Sequence, residues 1–150
     1  MGKSYQNRTT PTINPKDAQF VIDFIQEELD ELKVAVKEKN IIEVFDFHTT
    51  NRCVTCKAIE ANTKYTLETY FAEEPKSGKI TFKIINIDEK ANEKLAEKFQ
   101  ASGTSLFLNV ISSKKEKQID LTNFAFTYGK KQDEFSEKLK VTIEKELADI

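Results

Sequence analysis

The chain has 150 residues, of which 39% are hydrophobic and 32% charged, and its net charge is −2. That length suits one domain with a real core. The near-neutral charge gives no overall field for nucleic acid or an anionic membrane, and no apolar stretch is long enough to span a bilayer.

Residues 1–15 are polar, contain Pro11 and Pro15, and are expected to form a flexible N-terminal tail, with one domain over 16–150. They carry no apolar segment of the kind an export signal needs. "NRT" at Asn7 matches a glycosylation triplet. From Asn14, "NPKDAQFVIDFIQEELDEL" predicts a helix: Asn14 caps, Pro15 suits the first position, and Phe20, Phe24, Leu29 and Leu32 form a stripe. Leu32, Val34 and Val36 alternate as in a strand, while Ile25, Leu29, Leu32 and Val36 also continue the helical stripe; of the two, a short edge strand is the expected reading.

"NIIEVFDFH" (40–48) is β-branched and aromatic, as a buried strand requires. An amphipathic helix follows over 56–74, with Ile59, Thr63, Leu67 and Tyr70/Phe71 on one face and Pro75 and Gly78 ending it. Further on, a strand (79–88), a charged helix (89–99), a strand (106–112) and a second strand (116–121) are predicted. "TNFAFTYGKK" is read as an aromatic-rich loop whose rings pack into the core. A last helix covers about 133–148, with Asp133 as its cap. Strand–helix alternation closed by a hairpin implies an α/β fold: a mixed sheet of four to five strands flanked by helices on both faces. With 11 Phe and no Trp, its core is expected to rest on phenyl rings.

The chain's one histidine and both cysteines fall within His48–Cys56. Two cysteines cannot scaffold a domain of this size, so redox chemistry, a metal or a structural disulfide are the candidate readings. Placed between a strand and a helix, Cys53 meets unpaired N–H groups and the helix dipole, which favour its thiolate. Cys56, one turn on, can attack a mixed disulfide. Cys53 is therefore the expected nucleophile and Cys56 the resolving thiol, with Arg52 and Lys57 supporting the thiolate. His48 suits an acid/base role or a hydrogen-bonded strand end. For a metal, His48, Cys53 and Cys56 are three soft ligands where structural zinc takes four, so no metal is expected.

Strand, C-x-x-C, helix is an order that resembles thioredoxins. "KIINID" (83–88) resembles their third strand, and "EKFQASGTSLFL" (97–108) the stretch carrying their cis-proline. More narrowly, "FHTTNRCVTCKAIEANTKYTLETYF" resembles small thioredoxin-like proteins of Bacteroidetes-type bacteria, whose family label names a nitrophenyl compound nitroreductase subunit, ArsF. The resemblance implies a thioredoxin-like fold and a redox-active dithiol acting on protein thiols and disulfides. It also implies a periplasmic or cell-envelope location after signal removal; the sequence taken as a full native chain implies the cytoplasm instead. No organic cofactor is expected, since the dithiol carries the electrons, and a monomer that neither spans a membrane nor binds nucleic acid is the expected state.

This sequence departs from the family pattern in four places. The cis-proline position falls on Ser105, after Thr104, which leaves these two as the expected substrate-docking residues. Arg52 replaces the usual tryptophan, and Val54 and Thr55 replace Gly-Pro. The buried acid's position falls on Phe47, with Asp46 one residue away; Glu43, Asp46 or water are the candidate proton carriers. These departures keep a second function open: a thioredoxin-like accessory or binding protein with a slow or structural C-x-x-C.

Overall fold

The computed structural model describes residues 40–113 and 115–150. The tail expected at 1–15, the helix expected from Asn14 and the edge strand expected at 32–36 lie outside the described residues. Strand β1 runs Ile41–His48. Helix α1 follows at Val54–Tyr70, short helix α2 at Glu74–Ser77 and strand β2 at Ile80–Asn86. A 3-10 turn at Lys90–Asn92 leads into α3, Glu93–Lys98. Strands β3 (Ser105–Ser112) and β4 (Lys115–Asp120) form a hairpin, and helices α4 (Thr122–Tyr128) and α5 (Gln132–Ala148) complete the domain.

The four strands lie in the order β2-β1-β3-β4. β1 pairs in parallel with β2 and antiparallel with β3, and β3 pairs antiparallel with β4. β1 is central and is covered on both faces. Its pleat sends Ile42 and Val44 into a core with Ile59, Leu67, Phe135, Leu139 and Ile143, under α1 and α5. It sends Phe45 and Phe47 the other way, against Phe99 and Phe107. Those four rings sit with centroids 5.0–5.9 Å apart, so the abundance of Phe is spent as expected. A strand buried on both faces carries apolar residues on both, which is why "IIEVF" does not alternate strictly between apolar and polar. The result is the expected thioredoxin-like α/β class, a mixed sheet with helices on both faces.

Several local expectations are corrected. "TNFAFTY" is helix, not loop: Asp120 Oδ1 accepts from the Thr122 amide at 2.9 Å at its entry, and Phe124 stacks on Tyr128 and Phe135 at 5.6 and 5.0 Å. Its rings do pack inward, apart from the half-exposed Phe126. The helix expected to run to 74 stops at Tyr70. Pro75 lies in the first turn of α2 instead, and Gly78 ends that helix with φ +77°, a conformation suited to glycine. Asp133 lies in the first turn of α5 and does not cap it; the N-cap position is Lys131.

α1 buries a stripe that is partly polar: Asn62, Thr63 and Thr66 lie beside Ile59 and Leu67. Each polar group is satisfied. Thr63 and Thr66 donate to carbonyls one turn back at 2.8 and 2.7 Å. Thr66 Oγ1 also accepts from the Ser136 hydroxyl on α5 at 3.0 Å, and Asn62 Nδ2 donates to the Gly129 carbonyl at 2.7 Å. These bonds fix how α1, and hence the cysteines at its start, sits on α5 and the α4–α5 turn.

Candidate functional site

β1 delivers the chain to a loop, Thr49–Arg52, and α1 begins on Cys53. Cys53 occupies the N-cap with extended backbone (φ −79°, ψ 168°), and its Sγ accepts the Cys56 amide at 3.2 Å. Sulfur thus does here what a Ser or Asp oxygen usually does at a helix start. Cys53 is exposed, whereas Cys56 is buried, and the two are joined as a disulfide with Cα atoms 5.1 Å apart. In the reduced state the same amide and the helix dipole would favour a Cys53 thiolate.

The loop is anchored from the end of β2. The Asp88 carboxylate accepts the Thr50 amide at 2.7 Å, and Asn86 Nδ2 donates to Thr50 Oγ1 at 3.2 Å. The Thr50 bonds hold the Asp88 carboxyl below its ordinary range. The "NID" ending of the sequence motif is thus the clamp on the cysteine loop.

Behind the disulfide, Thr104 Oγ1 donates to Cys56 Sγ at 3.1 Å. Ser105, the expected proline position, opens β3 in register with Phe47, and its hydroxyl donates to the Gly103 carbonyl at 3.1 Å. All peptide bonds among the described residues are trans, including the one before Ser105. Of the two expected docking residues, Thr104 touches the cysteine pair and Ser105 spends its hydroxyl locally.

Arg52 faces inward. Its side chain is only 18% exposed and forms an ion pair through Nη1 with Glu60. Its Nη2 donates to the Cys56 carbonyl at 3.5 Å and lies 3.9 Å from Asp46 Oδ2. Lys57 is exposed and has no salt bridge among the described residues. His48 Nδ1 donates to the Thr49 carbonyl at 2.8 Å, the arrangement of a hydrogen-bonded strand end. Among the described residues, no three His, Cys, Asp or Glu side chains gather as metal ligands.

The acid of the site is Asp46. It is fully buried, and neither carboxylate oxygen has a hydrogen-bond partner among the described residues. Burial pushes its pKa up to about 7; Arg52 opposes that rise and Glu60 adds to it. Strand parity explains the placement. Asp46 shares the α1 side of β1 with Ile42 and Val44, while Phe47 belongs to the phenyl cluster opposite. Glu43 is on the Phe47 side, where it accepts from Asn109 Nδ2 at 2.8 Å and is remote from the cysteines. The alternation Ile42, Val44, Asp46 was the signal for this acid, readable once the face of β1 that meets α1 is known.

No family model and no curated protein matches this chain. Among solved structures it is similar to mitochondrial thioredoxin 3 from Saccharomyces cerevisiae in its oxidised form, at 18% identity over 67% of this chain and 86% of that one, TM-score 0.39. It is similar also to Fasciola hepatica thioredoxin, at 21% identity over 63% and 79%, TM-score 0.38. A third is thioredoxin O1 from Arabidopsis thaliana in the oxidised state, at 16% identity over 70% and 90%, TM-score 0.40. The sheet order and the C-x-x-C at the strand–helix junction carry the fold assignment on their own. A dithiol so placed can take or give two electrons as a disulfide.

Proposed function

We propose that this chain is a thiol–disulfide oxidoreductase acting on protein disulfides. The observation that carries the reading is the asymmetry of the pair: an exposed Cys53 whose sulfur caps α1, and a buried Cys56 one turn behind it. In the reduced protein the Cys53 thiolate attacks one sulfur of a partner's disulfide. The new Cys53–partner bond forms, the partner's S–S bond breaks, and its second sulfur leaves as a thiolate. Cys56 then loses its proton and attacks Cys53 Sγ. The Cys53–Cys56 bond forms, the mixed disulfide breaks, and the partner departs as a dithiol, two electrons richer. Asp46, linked to Cys56 through Arg52, is the group assigned to take the Cys56 proton.

Insulin reduction with dithiothreitol tests the reading. Wild type should accelerate precipitation and Cys53→Ser should not; equal inertness of the two would remove the catalytic role. Cys56→Ser should accumulate mixed disulfides through Cys53, and recovery of protein partners on it would identify the substrates.

A second reading, an accessory or binding protein with a slow or structural C-x-x-C, is favoured by one observation. The segment beside the cysteines is Thr104–Ser105 with a trans bond and no proline, so backbone presentation to a substrate peptide differs from the family pattern. A disulfide that resists reduction at the potential of the cellular glutathione pool would support it. The narrower likeness to the Bacteroidetes proteins leads us to place the molecule in the cell envelope. Recovery in the cytosolic fraction with both cysteines reduced would overturn that placement.

A further inference from the structure

We infer that Arg52, clamped by Glu60, is a positioning residue that governs the proton on Asp46, and that the two partners set the pH dependence of thiol–disulfide exchange in opposite directions. The catalytic consequence rests on the oxidoreductase reading above; the electrostatic core of the inference does not.

The geometry is specific. An arginine beside an exposed cysteine would ordinarily extend into water, yet Arg52 folds inward with its side chain 18% exposed. Its guanidinium reaches three groups at once: Glu60 on α1, the carbonyl of Cys56 and the carboxylate of Asp46. A carboxylate buried as deeply as Asp46 needs compensation for lost hydration. At 3.9 Å, Arg52 Nη2 supplies charge without a hydrogen bond, and both Asp46 oxygens stay unpartnered among the described residues. The strands on either side offer nothing further, since β2 and β3 set Ile84 and Leu106 in register with Asp46. Among the described residues, the charges that reach it are therefore Arg52 from the loop and Glu60 from α1.

Glu60 acts against ionisation twice. It holds the guanidinium through Nη1, away from a bidentate grip on Asp46, and it adds a negative charge of its own. The balance leaves Asp46 able to gain or lose a proton near neutrality, in line with its pKa of about 7. Through its bond to the Cys56 carbonyl, Arg52 also ties this carboxyl to the turn that carries the resolving thiol.

Opposite substitutions should give opposite shifts. Carboxyl titration in the oxidised protein, followed by carbon NMR, reads Asp46 without any turnover. Arg52→Gln should raise the Asp46 midpoint and Glu60→Gln should lower it, each by about one pH unit. Arg52→Lys should restore most of the wild-type value. Midpoints that stay put, or move the same way in both variants, would overturn the inference. In single-turnover reduction of a disulfide peptide, the rise in the resolving rate with pH should follow the same two displacements. Opposed NMR shifts in a protein inert towards insulin would leave the electrostatic core standing and remove the oxidoreductase reading, with its catalytic consequence, instead.

Discussion

At the scale of single residues, the site runs on groups that are poor choices for stability. Asp46 is the clearest case. Its pKa of about 7 lies above the ordinary 3.8, so the folded state holds a proton that the unfolded chain releases. The contribution of Asp46 to stability is thus greatest below pH 3.8, declines as pH rises from there, and is fully lost above about 7. The whole effect is about 4 kcal/mol. Asp46→Asn in the oxidised protein should be close to wild type in urea melts at pH 4 and more stable at pH 8. A gain that is largest at pH 4 would contradict the assignment. Thr104 is a second case. Its hydroxyl should stabilise a Cys56 thiolate more than a disulfide sulfur, so Thr104→Val should make the pair more reducing. A difference of about 1.4 kcal/mol corresponds to about 30 mV for two electrons, readable by equilibration with glutathione. Both residues were named as candidates from the sequence, but their partners were not: the Thr104–Cys56 contact joins residues 48 apart, and which face of β1 is acidic depends on what covers it.

At the scale of elements, the junctions matter more than the segments. β1 was legible from its β-branched and aromatic content and α1 from its helical period, and so was the C-x-x-C at their boundary. α4 was missed because Leu121 at its N-cap position has no capping side chain and Gly-Lys-Lys follows it. It is helical because Phe124, Tyr128 and Phe135 stack, and Phe135 belongs to the next helix. The turn between α4 and α5 also presses on the active helix. A Cβ on Gly129 would meet the Ala125 carbonyl oxygen at 2.6 Å, Ile59 Cγ1 at 3.1 Å and Thr55 Cγ2 at 3.3 Å. Its φ of −55° suits any residue, so the need for glycine here is one of space. Gly129→Ala should cost about 1–3 kcal/mol in chemical denaturation. It should also slow disulfide exchange, since Thr55 lies between the two cysteines. A variant as stable as wild type would show that the contact relaxes freely.

At the scale of the molecule, one central strand feeds two cores. Its even side meets α1 and α5, and its odd side meets the phenyl cluster around Phe99. Phe135 lies fully buried in the larger core, and Phe135→Ala should cost about 3–5 kcal/mol in a denaturant melt. Val141 on the outer face of α5 is 60% exposed, so Val141→Ala should change little. Equal losses at both positions would mean that α5 does not carry the core as described. The sequence by itself determined the α/β class, the strand–helix junction and the dithiol at it, because periodicity and a four-residue motif are local properties. Tertiary structure alone decided the rest: that Asp46 and not Phe47 faces the cysteine side, that Arg52 turns inward to Glu60 and Asp46, and that Thr104 meets Cys56. Each of these depends on strand register and on which helix covers which face, and no local pattern encodes a contact between segments far apart in the chain.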